Sequence, residues 1–208
     1  MKKTSVLVLN GFLGSGKTTL FRSLLAQANK KNLSVCAIVN DMSELDVDGE
    51  LIANTTIVER DEKIMVSISS HVLSSKKGIE KLNESINKLL NNNTAELIII
   101  ETSGSCHPMP LIKYFNKHNK VCLTGFFVLV DSLMIAHDYD CGKTLIPSLQ
   151  EKMAQDKRGT INLLIEQILF CSHIIITKSD RINNKQLENI TSHIQSINPH
   201  ASISPIIF

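Results

Sequence analysis

The sequence has 208 residues, of which 43% are hydrophobic and 20% charged, and its formal net charge is +2. This size and apolar content are enough to bury the core of one α/β domain, and no apolar run reaches the roughly 18 residues that cross a bilayer. With 4% aromatic residues, no basic stripe and five cysteines without a CxxC pair, we expect a cytoplasmic protein that binds neither membranes nor nucleic acid.

Runs rich in Val, Ile and Leu alternate along the chain with stretches of helical periodicity. This alternation is typical of parallel strands covered on both faces by helices. It predicts an α/β fold with a doubly wound, mostly parallel sheet. Strands are predicted at Ser5–Leu9, Leu33–Asn40, Glu96–Glu101, Leu123–Asp131, His173–Thr177 and Ser202–Phe208, with a weaker pair at Thr56–Glu59 and Ile64–Ile68.

Apolar residues three and four positions apart predict amphipathic helices. One such helix runs through Ile79, Leu82, Ile86 and Leu89, and another runs through Leu187, Ile190, Ile194 and Ile197. The segment Ile161–Phe170 is apolar nearly all round, which predicts a more deeply enclosed helix. Polar, turn-rich segments at Asp41–Thr55, Asn91–Thr94 and Asp138–Gly159 are predicted as loops. Without a repeat or a linker, we expect one domain over residues 1–208.

The segment Gly11–Thr18 reads GFLGSGKT and matches the phosphate-binding pattern GxxxxGKT between a predicted strand and a predicted helix. Gly14 and Gly16 permit backbone angles that turn successive N–H groups inward around Ser15. The helix that begins near Lys17 adds its positive dipole end. We therefore expect a loop that binds an anion. The alternative is a glycine-rich turn that only packs tightly, but such a turn would not need to lie between a strand and a helix.

Side chains that would act on the nucleotide follow this loop. Lys17 is expected to reach the terminal phosphates, Thr18 to ligate Mg²⁺ and Thr19 to donate to the inner phosphate. Glu101 closes an apolar strand, where a carboxylate would hold the shell of the metal. In the same element Gly104 would sense the γ-phosphate as a switch. A strand-end carboxylate that merely faces solvent is the alternative for Glu101.

Asp41, just after the second predicted strand, is a further candidate for the magnesium shell and for catalysis. Its loop also contains Glu44, Asp46, Asp48 and Glu50, so it reads equally as a solvated acidic stretch.

Base choice is predicted to lie in Thr177-Lys178-Ser179-Asp180, a TKxD element after a late strand. The Asp180 carboxylate would accept two hydrogen bonds from N1–H and the exocyclic amine of guanine, which adenine does not offer. The Lys178 stem would cover the face of the base. We therefore expect GTP rather than ATP.

With these motifs, the chain resembles the CobW-like family of metal-chaperone GTPases, SIMIBI-type P-loop proteins related to the nickel-insertion GTPases for hydrogenase and urease. The likeness spans nearly the whole length. It rests on Gly11–Thr19, Asn40-Asp41-Met42-Ser43-Glu44 with Val47-Asp48-Gly49, Glu101-Thr102-Ser103-Gly104 with Pro108, Val130-Asp131, Thr177-Lys178-Ser179-Asp180, and Ile197-Asn198-Pro199 with Ala201.

The resemblance implies a P-loop NTPase domain that hydrolyses GTP with Mg²⁺, forms a homodimer with nucleotide, and gates transfer of Zn²⁺, Co²⁺ or Ni²⁺ to a metalloprotein client. Two departures stand out. The CxCC metal motif of the family is replaced by serines and one histidine within residues 63–74, and we expect the family's C-terminal domain to be absent. Neutral hydroxyls are poor zinc ligands.

Cys106 and His107 would form a replacement transition-metal site beside the predicted switch, because the nickel-insertion relatives carry a Cys-Pro or Cys-Pro-His element in this vicinity. The alternative is a packed thiol next to an exposed ring.

The leading hypothesis is a Mg²⁺-dependent GTPase whose nucleotide state controls metal delivery or client binding, with Lys17, Thr18, Asp41 and Glu101 as the catalytic group. The alternative is a nucleotide-dependent protein-binding module with weak or absent hydrolysis and no metal transfer. A small-molecule kinase is disfavoured by the TKxD element and by the isolation of Arg158.

Overall fold

The computed structural model describes residues 3–40, 64–92, 94–145 and 160–207. The chain divides into two compact units, the first made of Met1–Asn10 and Lys17–Gly125 and the second of Gly11–Gly16 and Phe126–Phe208. Within the described residues, no helix is long and apolar enough to cross a membrane. The single domain over residues 1–208 stays a prediction.

The first unit is built on parallel strands. Its elements are β1 (Thr4–Gly11), α1 (Lys17–Lys30), β2 (Val35–Val39), β3 (Met65–Ser67), α2 (Lys76–Asn92), β4 (Leu97–Glu101), α3 (Pro108–Lys117) and the beginning of β5 (Val121–Asp131). The strands lie in the order β3-β2-β4-β1. Val6, Val8, Ile98 and Ile100 are fully buried, which explains why β1 and β4 appear in the sequence as nearly continuous apolar runs.

Polar residues gather where the strands of the first unit end. Leu9 lies opposite Glu101 in the ladder between β1 and β4. The ladder continues one residue further, because Asn40 N donates to Glu101 O at 2.9 Å and Thr102 N donates to Leu9 O at 3.0 Å. Parallel strands end at the same edge, so Asn10, Asn40 and Glu101 share this edge, and all three are buried.

The second unit has the same construction. It contains the end of β5, α4 (Ser132–Asp138), α5 (Thr160–Leu169), β6 (His173–Thr177), α6 (Asn184–Ile197) and β7 (Ser202–Pro205), with 3-10 turns at Asp140–Gly142 and Ser179–Arg181. Its strands are parallel in the order β5-β6-β7. A capping box starts α6: Asn183 Oδ1 accepts from Gln186 N at 2.9 Å, and Gln186 Oε1 accepts from Asn183 N at 3.0 Å.

Asn198, directly after α6, ties three segments of the second unit together. It is 5% exposed, and its side chain bonds only backbone atoms and one sulfur. Nδ2 donates to the carbonyl oxygens of Ile168, Leu169 and Cys171 at 2.8, 3.1 and 3.1 Å, while Oδ1 accepts from the N–H groups of His200 and Ala201 at 3.2 and 3.1 Å. This Asn198 clasp fixes the end of α5 against the turn that leads into β7.

The predicted strands that fall within the described residues are confirmed, with changes at their ends. The strand predicted at Leu33–Asn40 is the shorter β2, and Ile64–Ile68 contains β3. The strand predicted at Ser202–Phe208 is β7, which ends at Pro205. Its partner β6 ends at Thr177, and the described pairing stops after the bond from Ile206 N to Ile176 O at 2.8 Å. Thr56–Glu59 and the loop Asp41–Thr55 lie outside the described residues.

The four predicted helices are confirmed as α1, α2, α5 and α6. The prediction of a loop at Asn91–Thr94 is wrong for its first two residues, because α2 continues through Asn92. The weak preference of asparagine for turns does not end a helix that is already formed. The loop predicted at Asp138–Gly159 begins instead with the last residue of α4 and a 3-10 turn. Residues 146–159 lie outside the description. The helices α3 and α4 were not predicted.

Candidate functional site

The predicted phosphate loop adopts a backbone that demands glycine. Gly14 has a φ of +76° and open space around its Cβ position, so only the backbone angle selects glycine there. Gly16 has a φ of +90°. Gly11, the first glycine of the GxxxxGKT pattern, ends β1, and a Cβ there would lie 2.3 Å from Leu129 O. A glycine at the end of a strand signals such close backbone approach.

Ser15 lies inside this loop with its side chain turned away from solvent. It is 1% exposed, and its N–H closes a turn onto Phe12 O at 3.2 Å. Its hydroxyl has no hydrogen-bond partner within the described residues. A buried hydroxyl without a partner is rare, so the loop holds a polar atom able to accept or donate a further bond.

The predicted base-reading element contacts the phosphate loop within the second unit. Thr177, fully buried at the end of β6, donates from Oγ1 to Ser15 O at 2.9 Å. Its Oγ1 also lies 3.3 Å from Val130 O. The two motifs, 162 residues apart in sequence, are therefore fixed to each other by one threonine hydroxyl.

Lys178 is held in a strained backbone conformation by its neighbours. Its φ is +55°, and its carbonyl oxygen accepts from Ser132 Oγ at 2.9 Å. The Lys178 ammonium forms an ion pair with Asp131 Oδ2. Asp180 lies in the following 3-10 turn with its side chain exposed. The turn is thus anchored through Lys178 while the predicted guanine acceptor remains accessible.

Asp131 contacts the predicted base-reading turn, and it was assigned no role from the sequence. Its Oδ1 accepts from Leu133 N at 2.9 Å and from Met134 N at 3.4 Å, which caps α4. Its Oδ2 binds Lys178. The signal was present, because an aspartate that ends a strand and precedes a helix is a typical N-cap, but the partner lysine lies 47 residues away.

In the first unit, two predicted magnesium ligands meet at the start of α1. Thr18 Oγ1 donates to Glu101 Oε1 at 2.6 Å, although the residues are 83 positions apart. Glu101 is 5% exposed at the end of β4, and Lys17 is 7% exposed beside Thr18. Thr19, the next residue of α1, is exposed. Asp41 lies outside the described residues.

The loop that follows Glu101 is held by buried polar groups. Thr102 Oγ1 lies 3.2 Å from Leu9 O and 3.1 Å from Asn10 Oδ1, and Asn10 Nδ2 donates to Cys106 O at 3.2 Å. Cys106 N donates to Ser103 O at 3.1 Å, so Gly104 lies within a tight turn. The predicted switch is therefore a short turn fastened at both ends.

Cys106 and His107 occupy different environments. The Cys106 side chain is fully buried, with Sγ 3.8 Å from His107 O. His107 is half-buried at the N-cap position of α3, and its N–H donates to Ser74 Oγ at 3.1 Å. Across the part of the chain that the structure describes, no three His, Cys, Asp or Glu side chains lie close enough to hold a metal ion. The transition-metal role of the pair stays a prediction.

Comparison with known proteins identifies the family. The model of the CobW/HypB/UreG nucleotide-binding domain matches residues 5–205. The chain belongs to this family. The resemblance drawn from the motifs is thereby confirmed, and within this CobW/HypB/UreG domain the GFLGSGKT loop lies between β1 and α1, as P-loops do.

Curated relatives of this domain carry names from metal handling. The zinc-regulated GTPase metalloprotein activator 1 of Dictyostelium discoideum is 30% identical over 97% of this chain and 45% of its own length. The zinc chaperone CobW of a Sinorhizobium species is 27% identical over 93% and 56%, and the zinc chaperone YjiA of Escherichia coli K12 is 25% identical over 98% and 57%. The chain thus spans about half the length of these relatives.

Solved structures confirm the fold. The hydrogenase maturation factor HypB of Archaeoglobus fulgidus matches with a TM-score of 0.58 at 16% identity, over 99% of this chain and 81% of that chain. The signal recognition particle receptor FtsY of Elizabethkingia anophelis, solved in complex with GDP, matches with 0.58 at 14% identity, over 100% and 57%. The predicted α/β fold of the P-loop NTPases, with a doubly wound and mostly parallel sheet, is confirmed.

Proposed function

We propose that this CobW/HypB/UreG domain binds and hydrolyses GTP with Mg²⁺, and that its nucleotide state controls a metal-delivery or client-binding step in metal homeostasis. The observation that carries the proposal is the 2.6 Å hydrogen bond between Thr18 Oγ1 and Glu101 Oε1. It brings the hydroxyl of the P-loop residue Thr18 together with a strand-end carboxylate, and P-loop NTPases hold Mg²⁺ with groups at such positions.

The donor set at this point suits Mg²⁺. The ion prefers hard oxygen ligands and keeps several waters, and Thr18 and Glu101 supply one hydroxyl and one carboxylate. When bound, Mg²⁺ would neutralise charge on the phosphoryl oxygens. Asp41 is proposed as a further oxygen donor.

Side chains and backbone groups of the protein would stabilise the negative charge on the phosphates and on the leaving group. The Lys17 ammonium and the first N–H groups of α1 would bind phosphoryl oxygens, because both are positive and fixed in place before reaction. Gly14, Ser15 and Gly16 would line the cradle, Thr19 would donate to the inner phosphate and Gly104 would sense the γ-phosphate. Catalysis would arise mainly from this positioning.

The second unit would select the base. Asp180 is exposed and able to accept hydrogen bonds from guanine, while the Lys178 stem would lie over the base. The bond from Thr177 Oγ1 to Ser15 O at 2.9 Å supports this assignment, because it fixes the base-reading element to the phosphate loop.

The names of the relatives support a proposal for the cargo and the client. Two of the named relatives are zinc chaperones and one is a GTPase metalloprotein activator. We therefore propose Zn²⁺ as the transported metal, with Co²⁺ and Ni²⁺ as competitors, a metalloprotein client, and a homodimer formed with nucleotide.

Phosphate release from GTP tests the enzymatic core. Lys17→Ala should lower kcat about 100-fold or more, because the ammonium faces charge that grows in the transition state. Lys30→Ala, at the exposed end of the same helix, is the matched control and should leave turnover unchanged. Wild-type turnover by Lys17→Ala would contradict the proposal.

One observation favours the alternative, a nucleotide-dependent protein-binding module without metal transfer. The described residues hold no cluster of three metal-ligating side chains. Titration calorimetry of Zn²⁺, Co²⁺ and Ni²⁺ with and without GTP, repeated with Cys106→Ser, separates the two functions. Metal binding in neither nucleotide state would favour the module, whereas binding that Cys106→Ser abolishes would favour metal delivery.

A further inference from the structure

Asn40 is a buried amide at the point where β2 ends. It is 3% exposed, and its backbone N–H continues the ladder to Glu101 O. Its side chain bonds four backbone groups from two other segments of the first unit. A buried amide that is fully bonded to backbone usually fixes the segments around it.

The two ends of this amide face different partners. Nδ2 donates to Ile68 O at 2.8 Å and to His71 O at 3.0 Å. Oδ1 accepts from Leu73 N at 3.3 Å and from Ser103 N at 3.4 Å. Asn40 therefore links the segment Ile68–Ser74, which follows β3, directly to the predicted switch turn after Glu101.

The bond lengths indicate how this link would respond. The bonds from Nδ2 have ordinary lengths, so the amide is anchored to Ile68–Ser74. The two N–H groups that share Oδ1 are further away, so each of these bonds is weaker than those from Nδ2. A movement of Ser103 therefore pulls on an amide whose other end is fixed to Ile68–Ser74.

A second contact joins the same two segments. His107 N donates to Ser74 Oγ at 3.1 Å, and Cys106 N donates to Ser103 O at 3.1 Å. The turn after Glu101 thus contacts Ile68–Ser74 at Ser103 through Asn40 and at His107 through Ser74. On the outer side of the segment, Ser69 and Ser70 are exposed.

We propose that Asn40 is a positioning residue that transmits nucleotide state from the turn Glu101–Gly104 to the segment Ile68–Ser74. The inference rests on the proposed function, because it requires the turn to respond to the γ-phosphate. Loss of the γ-phosphate would shift Ser103 and thereby lengthen or shorten its hydrogen bond to Asn40 Oδ1. This change would alter how well ordered the surface around Ser69 and Ser70 is. A client protein at that surface would then sense the nucleotide without contacting it.

Hydrogen–deuterium exchange of peptides covering Ile68–Ser74 tests the coupling. In the wild type, exchange with GDP should differ from exchange with Mg²⁺ and a non-hydrolysable GTP analogue on the order of tenfold. Asn40→Ala should still bind the analogue but lose this difference. A role limited to stability would raise exchange in both states and leave the difference intact.

Asn198→Ala is the matched control, because Asn198 is also a buried amide with Nδ2 on carbonyls and Oδ1 on two N–H groups. It should destabilise the chain yet retain the nucleotide-dependent difference. Should Asn40→Ala fail to fold, the side-chain amide NMR signals of Asn40 in the wild type decide the matter. They should shift between GDP and the analogue, and identical signals would overturn the coupling.

The outcomes separate the two proposals. A wild type that binds neither nucleotide would overturn the proposed function and this inference with it. A wild type that binds both, but exchanges alike in both states, would overturn only the role of Asn40. If Asn40→Ala kept the full difference in hydrogen exchange between the GDP and analogue states, the role of Asn40 would also be overturned.

Discussion

At the scale of single residues, Asp131 serves two partners with its two carboxylate oxygens. Oδ1 caps α4 and Oδ2 binds the Lys178 ammonium, in a pair whose side chains are 14% and 32% exposed. Asparagine caps helices about as well as aspartate. Replacing Asp131 by asparagine therefore removes the ion pair while keeping the helix cap.

We expect Asp131→Asn to weaken GTP binding about fivefold, the equivalent of ~1 kcal/mol for a partly exposed ion pair. The reason is that the base-reading turn loses its tie to β5, whereas the thermal midpoint should hardly change. Fluorescence titration with a labelled guanine nucleotide measures the change. Asp140→Asn, which removes the exposed pair with Lys143, should leave affinity as it is, and an equal loss there would refute the role of Asp131.

His118 makes the stability of the first unit depend on pH. Its Nδ1 accepts from Lys120 N at 3.1 Å and Val121 N at 3.2 Å, so this nitrogen carries no proton, and the Tyr114 ring lies 5.3 Å away. Burial, followed by the charges of Lys120 and Lys3, lowers the pKa of His118 below its ordinary value. Between the lowered pKa and the ordinary one, the unfolded chain binds more protons than the folded chain.

The free energy of unfolding should therefore be largest above about pH 6.5 and fall as the pH drops through the lowered pKa. Urea unfolding at about pH 7.5 and about pH 5.5 measures the loss. His118→Asn keeps an acceptor near the Nδ1 position but does not titrate, so its loss between the two pH values should be smaller. An unchanged loss would assign the pH dependence to other groups.

At the scale of elements, the sequence predicted the strands and helices whose burial gives a clear apolar pattern. It did not predict the short helices that depend on residues at their N-termini. The run that became β4 is apolar because both of its faces are covered, and this pattern is visible without a structure. α3 was missed because Pro108 and Pro110 look like helix breakers, although proline fits the first turn. α4 is seven residues long and begins at an aspartate cap, which is too short for a periodic signal.

The Asn198 clasp is a further element-scale feature that pattern could not reveal, since its partners are backbone atoms. Asn198→Ala should lower the free energy of unfolding by about 2–4 kcal/mol, because it leaves several buried carbonyl and N–H groups without partners. Chemical denaturation measures the effect. Asn184→Ala, an exposed position in the first turn of α6, should cost less than about 1 kcal/mol, and equal losses would show that the clasp contributes nothing special.

At the scale of the whole molecule, a bound nucleotide should raise stability by mass action. At about 100 times its Kd, GTP with Mg²⁺ adds ~2.7 kcal/mol, which for this chain length raises Tm by about 5–10 °C. Differential scanning fluorimetry with GTP, ATP and chelator measures it. ATP should give a much smaller shift and a chelator should reduce the shift from GTP; an equal shift from ATP would overturn the assignment of Asp180 to guanine.

The motifs predicted which residues to examine, but not how they meet. The P-loop pattern predicts that Thr18 and Glu101 act together, and the structure has their oxygens 2.6 Å apart. The bonds of Thr177 to Ser15, Lys178 to Asp131 and Asn40 to Ser103 had no sequence signal. Each joins residues far apart in the chain, and such pairs are set by strand order and register rather than by local pattern.

The proposed base-reading turn is also tied to the residues that directly follow β7. Ser179 Oγ donates to Ile206 O at 3.1 Å, and Ile206 N donates to Ile176 O at 2.8 Å. Cleavage of the backbone just before Ile206 would therefore free one side of the turn that contains Asp180. If Asp180 reads the base as proposed, such a cut should weaken the preference for guanine over adenine before it weakens the binding of phosphate.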